Sequence, residues 1–258
     1  MIQAQNLGLS LSGKAILRDL SFTLTPGTVT AVLGANGAGK SSLLTLLGGD
    51  RPPTSGTITW FEQPLSAWSA QDLACHRALV PQATHLAFPF TVEEVVALGR
   101  LPHTSSALDR MALAAVCRQL HLEALWNRPY ASLSGGEQQR VQFARALAQL
   151  WYPPGEAPPR VLLLDEATAA LDLKHQIAIL TAARDLAVQE KVTVVAILHD
   201  LTLAARVADA ALLLHRGHLL RAGPIGAVID AAALSEAYDT PVSVLRHPDT
   251  GRLLVSAA

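Results

Sequence analysis

The sequence predicts an α/β fold: a mainly parallel sheet core, an N-terminal antiparallel β subdomain and an inserted helical subdomain. Three observations carry this. Val29–Leu33, Val161–Leu164 and residues 192–198 are apolar throughout and are separated by helical patterns. Strands without alternation are covered on both faces, which is the mark of parallel pairing between helices. Residues 7–11 and 17–24 alternate instead, around Ser12-Gly13-Lys14, and read as a hairpin of half-buried strands. From about residue 84 to residue 150 the pattern turns helical.

Taken in order, Pro26-Gly27 makes a turn, and the apolar run from Val29 leads straight into a glycine-rich segment. Leu43, Leu44, Leu46 and Leu47 then fit a buried helix that stops near Gly48-Gly49. Residues 51–55 form a Pro-containing turn and residues 57–61 a short strand. Val92, Val95, Val96 and Leu98 are helix-spaced, and Thr91 with Glu94 supplies a capping box. Residues 108–122 and 135–150 give two more helices. Two proline pairs exclude a helix from residues 152–159. Residues 176–189 are helical, and residues 242–245 and 252–255 flank a His-Pro-Asp-Thr-Gly turn as a terminal hairpin.

Composition narrows the function classes. The 258 residues are half hydrophobic, enough for a real core, and the formal charge of −1 offers no basic surface for nucleic acid. Cys75 and Cys117 have neither disulfide-framework nor metal-ligand spacing, which fits a reducing compartment. The N-terminus has no signal-peptide pattern, and the apolar runs fall short of the roughly 18–20 residues of a spanning helix. A soluble protein is expected, one that reaches a membrane only by docking on something already there.

Residues 34–41 read Gly-Ala-Asn-Gly-Ala-Gly-Lys-Ser and satisfy G-x-x-x-x-G-K-[ST] in full. Gly34, Ala35, Asn36, Gly37, Ala38 and Gly39 are small enough for backbone N–H groups to curl around phosphate oxygens. Lys40 would reach the β- and γ-phosphates of ATP, and Ser41 would place its hydroxyl on Mg²⁺. The helix that follows adds a favourable dipole. An ordinary Gly-rich turn is the competing reading, and the spacing between strand and helix argues against it.

Two strand ends extend this site. Asp165 and Glu166 close the run Val161–Leu164. Asp165 would hold Mg²⁺ and Glu166 would act as general base on the attacking water; solvated carboxylates are the alternative. His199 ends the run 192–198, where ligands of open α/β sheets bind, although a strand-end histidine is more often structural. His215 and His218 flank Gly217 and read as a turn rather than a metal site.

Leu133-Ser134-Gly135-Gly136-Glu137 opens the helix before the Pro-rich loop. On physics alone, Ser134 caps the helix and Glu137 completes a capping box. Placed between a phosphate loop and an Asp-Glu strand, the same five residues resemble the identifying motif of ABC-type ATPases, a likeness that spans nearly the whole chain. That resemblance implies a P-loop ABC cassette, with residues 1–83 and 159–258 as the ATP core and residues 84–158 as the helical subdomain. It implies a head-to-tail homodimer in which Ser134, Gly135 and Gly136 touch the γ-phosphate bound to the other copy. Gln82 matches the glutamine that senses Mg²⁺ and water, Asp172 the aspartate that crosses the dimer interface, and His199 the switch histidine. Three departures stand out: Leu11 where the family often stacks an aromatic on adenine, Ala167 where a proline is common, and Ser42 where threonine is usual.

A single cassette without a heptad insert favours a transporter's energy subunit over a soluble ABC ATPase acting on DNA or ribosomes. The segment 88–100, the tail from Tyr238 to Pro248 and the extra loop before Val161 are similar to haem importer subunits, within a group that also serves ferric siderophores and vitamin B12. The implied partners are two permease subunits and a periplasmic binding protein, at the cytoplasmic face of the inner membrane. Phe88 and Phe90 read equally as permease anchors or as subdomain core. No residue is expected to touch haem.

Overall fold

A computed structural model describes residues 1–82, 86, 88–168, 171–249 and 251–257 of the chain. The chain divides into two compact units, Met1–Trp68 with Ala183–Ala258, and Ser69–Ala182.

The first unit begins with β1 (Ile2–Leu11) and β2 (Lys14–Leu24), antiparallel across a two-residue turn. Ser12 and Gly13 both take positive φ, 48° and 79°, as the favoured hairpin turn requires. Next come β3 (Val29–Leu33), α1 (Lys40–Leu47), β4 (Ser55–Trp60) and the two-residue β5 (Gln63–Pro64). The N-terminal sheet runs β2-β1-β4-β5. Its inner face closes over Trp60, which is fully buried and meets Phe61 and Trp68 edge-on at 6.0 Å.

The second unit holds α2 (Ala70–His76), β6 (Arg77–Val80), α3 (Val92–Ala97), α4 (Ser106–Gln119), α5 (Gly135–Leu150) and β7 (Val161–Leu164). Strands β6 and β7 pair in parallel, with Val80 opposite Leu164. Helix α5 is the unit's spine. It buries Val141, Phe143, Ala144, Leu147 and Leu150 and packs on α3, α4 and β6. Gln149 on its last turn donates to Ala74 O and Arg77 O, both at 2.8 Å. The buried Arg100 guanidinium donates to Ala148 O (2.7 Å) and Trp151 O (3.0 Å) at the same helix end, where a cation is favoured, and pairs with Asp109 at 2.8 Å. The residues 88–100 that resemble haem importers are thus largely packing residues: Val92, Val95 and Val96 are core, and a Cβ on Gly99 would run into Arg145 O.

Helix α6 (Leu173–Glu190) leads back to the first unit. There follow β8 (Thr193–Ile197), α7 (Leu201–Val207), β9 (Ala210–His215), β10 (His218–Pro224), α8 (Ile225–Val228), α9 (Ala231–Tyr238), β11 (Val242–Arg246) and β12 (Leu253–Ala257). Strand β3 pairs in parallel with both β8 and β9, and β10 adds antiparallel to β9. Every residue of β3 and β8 is buried, as unalternating apolar strands demand. Asp209 accepts from Val29 N–H (2.9 Å) and from Arg184 (3.0 Å), fixing the start of β3. The terminal hairpin β11–β12 is anchored on α7 by Val255 N–H to Thr202 Oγ1 at 3.1 Å.

Several expectations shift. The helix expected at 108–122 runs Ser106–Gln119 and stops where His121 takes φ 51°. The helix expected from 176 starts at Leu173, because Asp172 accepts from its first turn. Helix α2 and strand β6 were not anticipated. In the division by contacts, α2, β6 and β7 group with the helices, because α5 packs on β6 and α2. Phe88 is 71% exposed, so it is not core, while Phe90 is half-buried and meets it edge-on at 6.1 Å.

Candidate functional site

In the first unit, β3 ends at Leu33 and the chain enters residues 34–39 in a sequence of conformations reserved for glycine. Gly34, Gly37 and Gly39 have φ of 139°, 80° and 103°. A Cβ on Gly34 would meet Leu214 O, and one on Gly39 would lie 2.6 Å from Leu17 Cδ2. The loop is therefore pressed against its own unit at both ends. Lys40 is 5% exposed, and its ammonium donates to Gly34 O (2.9 Å) and Ala35 O (3.1 Å) across the loop. Asn36, Gly37 and Ser41 are exposed. Leu43 N–H donates to Gly39 O at 2.9 Å, so α1 opens with its leading N–H groups directed at the loop, a geometry suited to anions. Ser42 lies half-buried on that first turn, and Leu11 is half-buried at the end of β1.

His199 belongs to the same sheet edge as the loop. Val32 pairs with Ile197, so Gly34 and His199 each follow a paired residue by two positions. His199 is exposed, and Asp200 beside it caps α7 through Leu203 N–H at 2.8 Å. The turn predicted around Gly217 is present, and among the described residues no group of three His, Cys, Asp or Glu could hold a metal ion.

The second unit repeats this arrangement. Val80 pairs with Leu164, so Gln82 and Glu166 each lie two residues past a paired position, and Asp165 N–H donates to Val80 O at 2.9 Å. Gln82 is exposed, and Asp165 and Glu166 are half-exposed. Glu166 has φ 51°, a left-handed conformation uncommon outside glycine and frequent at functional sites.

Ser134 caps α5 as its residue type requires. Its N–H and hydroxyl both donate to Glu137 Oε2 at 2.8 Å, and its Oγ accepts from Glu137 N–H at 3.4 Å. These bonds, the Ser134 amide first, hold the Glu137 carboxyl below its usual range. Among the described residues Gly135 faces open space, while a Cβ on Gly136 would rest 3.5 Å from Leu171 Cδ2. Leu171 is buried, and Gln176 donates to its carbonyl and to Thr168 O, both at 3.0 Å. Asp172 accepts from His175 N–H (2.9 Å) and lies 2.7 Å from His175 Nδ1, contacts that lower its pKa. Gln139 donates to Pro81 O at 3.2 Å. Within this unit, the Ser134–Gly136 segment is thus tied to the Gln82 turn through Gln139 and to the Asp172 turn through Leu171.

Leu11, residues 34–42 and His199 fall in the first unit; Gln82, Ser134–Gly136, Asp165, Glu166 and Asp172 fall in the second. The tethers Gln139, His175 and Gln176 were not singled out as such from sequence. Their signal was weak, since long polar side chains early in a helix look like solvated surface. Tyr238 belongs to the tail that resembles haem importers, and its hydroxyl lies 3.1 Å from Gly34 N.

The ABC transporter family model matches residues 17–169. The Hemin import ATP-binding protein HmuV of Escherichia coli O157:H7 is 44% identical over 248 residues, covering 96% of each chain. HmuV of Methylobacillus flagellatus is 41% identical over 260 residues, covering all of this chain and 96% of its own. Among solved structures, one described as a metal-chelate type ABC transporter in an inward-facing conformation has a TM-score of 0.83 at 28% identity, covering 100% of this chain and 97% of that one. A dimeric post-hydrolysis ATP-binding cassette with ADP and Pi has a TM-score of 0.73 at 26% identity, covering 87% and 99%. The chain therefore belongs to the ABC transporter family, among its hemin import ATP-binding proteins, as an ATP-binding and ATP-hydrolysing importer subunit.

Proposed function

We propose that the chain is the energy subunit of a hemin importer, and that it hydrolyses ATP with Glu166 as general base. The observation that carries the cargo is the full-length likeness to hemin import ATP-binding proteins, 44% identical across 96% of the chain. The observation that supports the chemistry is the placement of Glu166 just past the end of β7 in a left-handed conformation.

In this reading the amides of residues 37–42 cradle the β- and γ-phosphates, and the Lys40 ammonium turns from its loop carbonyls to the phosphate oxygens. Leu11 offers adenine an apolar contact in place of a stacked ring. The donors available for Mg²⁺ are the Ser41 hydroxyl, the Asp165 carboxylate and the Gln82 amide oxygen, all hard oxygens of the kind that ion prefers. When bound, Mg²⁺ offsets charge on the β- and γ-phosphates. Glu166 takes a proton from the attacking water, and His199 donates to a γ-phosphate oxygen. Ser134, Gly135 and Gly136 complete the site of a second copy, and Asp172 crosses to it. Residues 1–83 with 159–258 serve as the catalytic core and residues 84–158 as the coupling subdomain.

The homodimer works with two permease subunits at the cytoplasmic face of the inner membrane, and a periplasmic binding protein acts through the permease. In this reading attachment is peripheral, through the permease; no helix among the described residues is long and apolar enough to cross a membrane. The segment after Gln82 docks the permease, with the exposed Phe88 as an anchor; residues 83–85 and 87 of that segment lie outside the described residues.

Reconstitution with the permease in vesicles tests the cargo. Hemin should stimulate ATP hydrolysis and enter, while a ferric siderophore and cobalamin should not; preferential uptake of either competitor would overturn the assignment. Glu166→Gln should bind ATP and cut turnover by about 10²–10³-fold, and near-wild-type turnover would remove Glu166 from its role.

A further inference from the structure

We propose that Tyr238 is a positioning residue for ATP binding: its hydroxyl holds the Gly34 amide and keeps the phosphate loop in its receptive form. The proposal rests on reading residues 34–41 as the phosphate loop.

Gly34 is the hinge between β3 and the loop. Its φ of 139° is open only to glycine, and it has no side chain with which to hold itself. Two bonds fix its backbone. Its carbonyl accepts from Lys40 Nζ at 2.9 Å, and its N–H donates to Tyr238 Oη at 3.1 Å. The first of these must weaken when the ammonium turns to phosphate. The second can remain, because it engages the Gly34 N–H and not the ammonium. Tyr238 is half-buried, and burial raises its phenol pKa, so the hydroxyl stays protonated at neutral pH.

The support for Tyr238 is itself braced. Ala237 O contacts His215 Nδ1 at 3.3 Å, and Asp239 pairs with Arg216 at 3.0 Å. The adjoining Gly217 N–H donates to Ala38 O at 3.1 Å, and Gly217 O accepts from Arg18 N–H at 2.8 Å. The C-terminal part of the chain therefore touches the phosphate loop at both ends, at Gly34 and at Ala38. This part lies beyond residues 17–169, the span that the ABC transporter family model matches.

The test is Tyr238→Phe, which keeps the ring and removes only the hydroxyl. Affinity for a fluorescent ATP analogue with Mg²⁺ should weaken about tenfold, the size expected when one buried N–H loses its partner. KM for ATP should rise by a similar factor while kcat holds. Unchanged affinity and KM, with or without a lower Tm, would reduce the contact to packing and overturn the proposal. Lys40→Ala, measured alongside, separates this from the reading beneath it. If Lys40→Ala binds ATP normally, the phosphate-loop reading fails; if it loses ATP while Tyr238→Phe does not, only the role of Tyr238 fails. Amide exchange on the wild-type protein gives a second readout, independent of how the variant folds. The Gly34 amide should be protected both with and without ATP, and rapid exchange would refute the anchor.

Discussion

The phosphate loop and the Ser134–Gly136 segment are both glycine turns that open a helix, and they are built in opposite ways. The loop is pressed into its unit. Lys40 bridges it, Tyr238 and Gly217 brace it, and a side chain on Gly34 would strike Leu214 O. Ser134–Gly136 is held only from behind. Its polar groups satisfy one another in a capping box, and a Cβ placed on Gly135 would meet nothing within 4 Å among the described residues. The first is a finished receptor. The second leaves the space beside Gly135 open among the described residues of its unit. Glycine at position 34 answers a demand of the fold, whereas we propose that Gly135 answers to a second copy that approaches from outside.

The largest effect expected is that of Lys40→Ala. Removing a buried ammonium from a phosphate site should weaken ATP binding by about 10²-fold or more, measured by nucleotide titration. The two glycines sharpen the contrast. Gly34→Ala combines a forbidden φ with a backbone clash and should cost about 3 kcal/mol or more of stability in denaturant unfolding. Gly135→Ala should leave stability within about 1 kcal/mol, on the stabilising side, because alanine is the better helix former. Its ATPase activity should nonetheless fall. If Gly135→Ala stays fully active, the segment is a plain helix start.

How much of this was legible depended on whether meaning sat in spacing or in tertiary contact. The loop could be read because its eight residues encode backbone conformation directly, and the three positive-φ glycines follow from it. Apolar runs such as Val161–Leu164 could be read because a strand buried on both faces has no alternative pattern. The capping boxes at Thr91 and Ser134 appeared where Glu stands three residues on. Helix α2 was missed because its seven residues are too few for periodicity, and β6 because Arg77 breaks its apolar run. The tethers Gln139, Gln176 and Tyr238 were illegible for a different reason: each acts on a backbone group brought near by the fold, while His175 acts on the Asp172 carboxylate within a turn. Ala167, where a proline is common, is buried.

The smallest effect concerns the capping box itself. Glu137→Ala should lower stability by about 1 kcal/mol through loss of the cap. The Glu137 carboxyl has a folded-state pKa below its unfolded value, so its contribution is present above about pH 4.3, the ordinary glutamate value, and is lost as pH falls through the folded value. The gap in Tm between wild type and Glu137→Gln should therefore close on acidification. A gap independent of pH would mean that the ionised carboxylate contributes nothing.

The central claim is that the finished loop and the open segment are two halves of one site supplied by two copies. Light scattering on Glu166→Gln with saturating ATP and Mg²⁺ tests it most directly. The account predicts a dimer that dissociates when ATP is removed and does not form when Ser134→Glu is added, although that double variant still binds ATP. A protein that remains monomeric with ATP bound, or a dimer indifferent to Ser134→Glu, would contradict it.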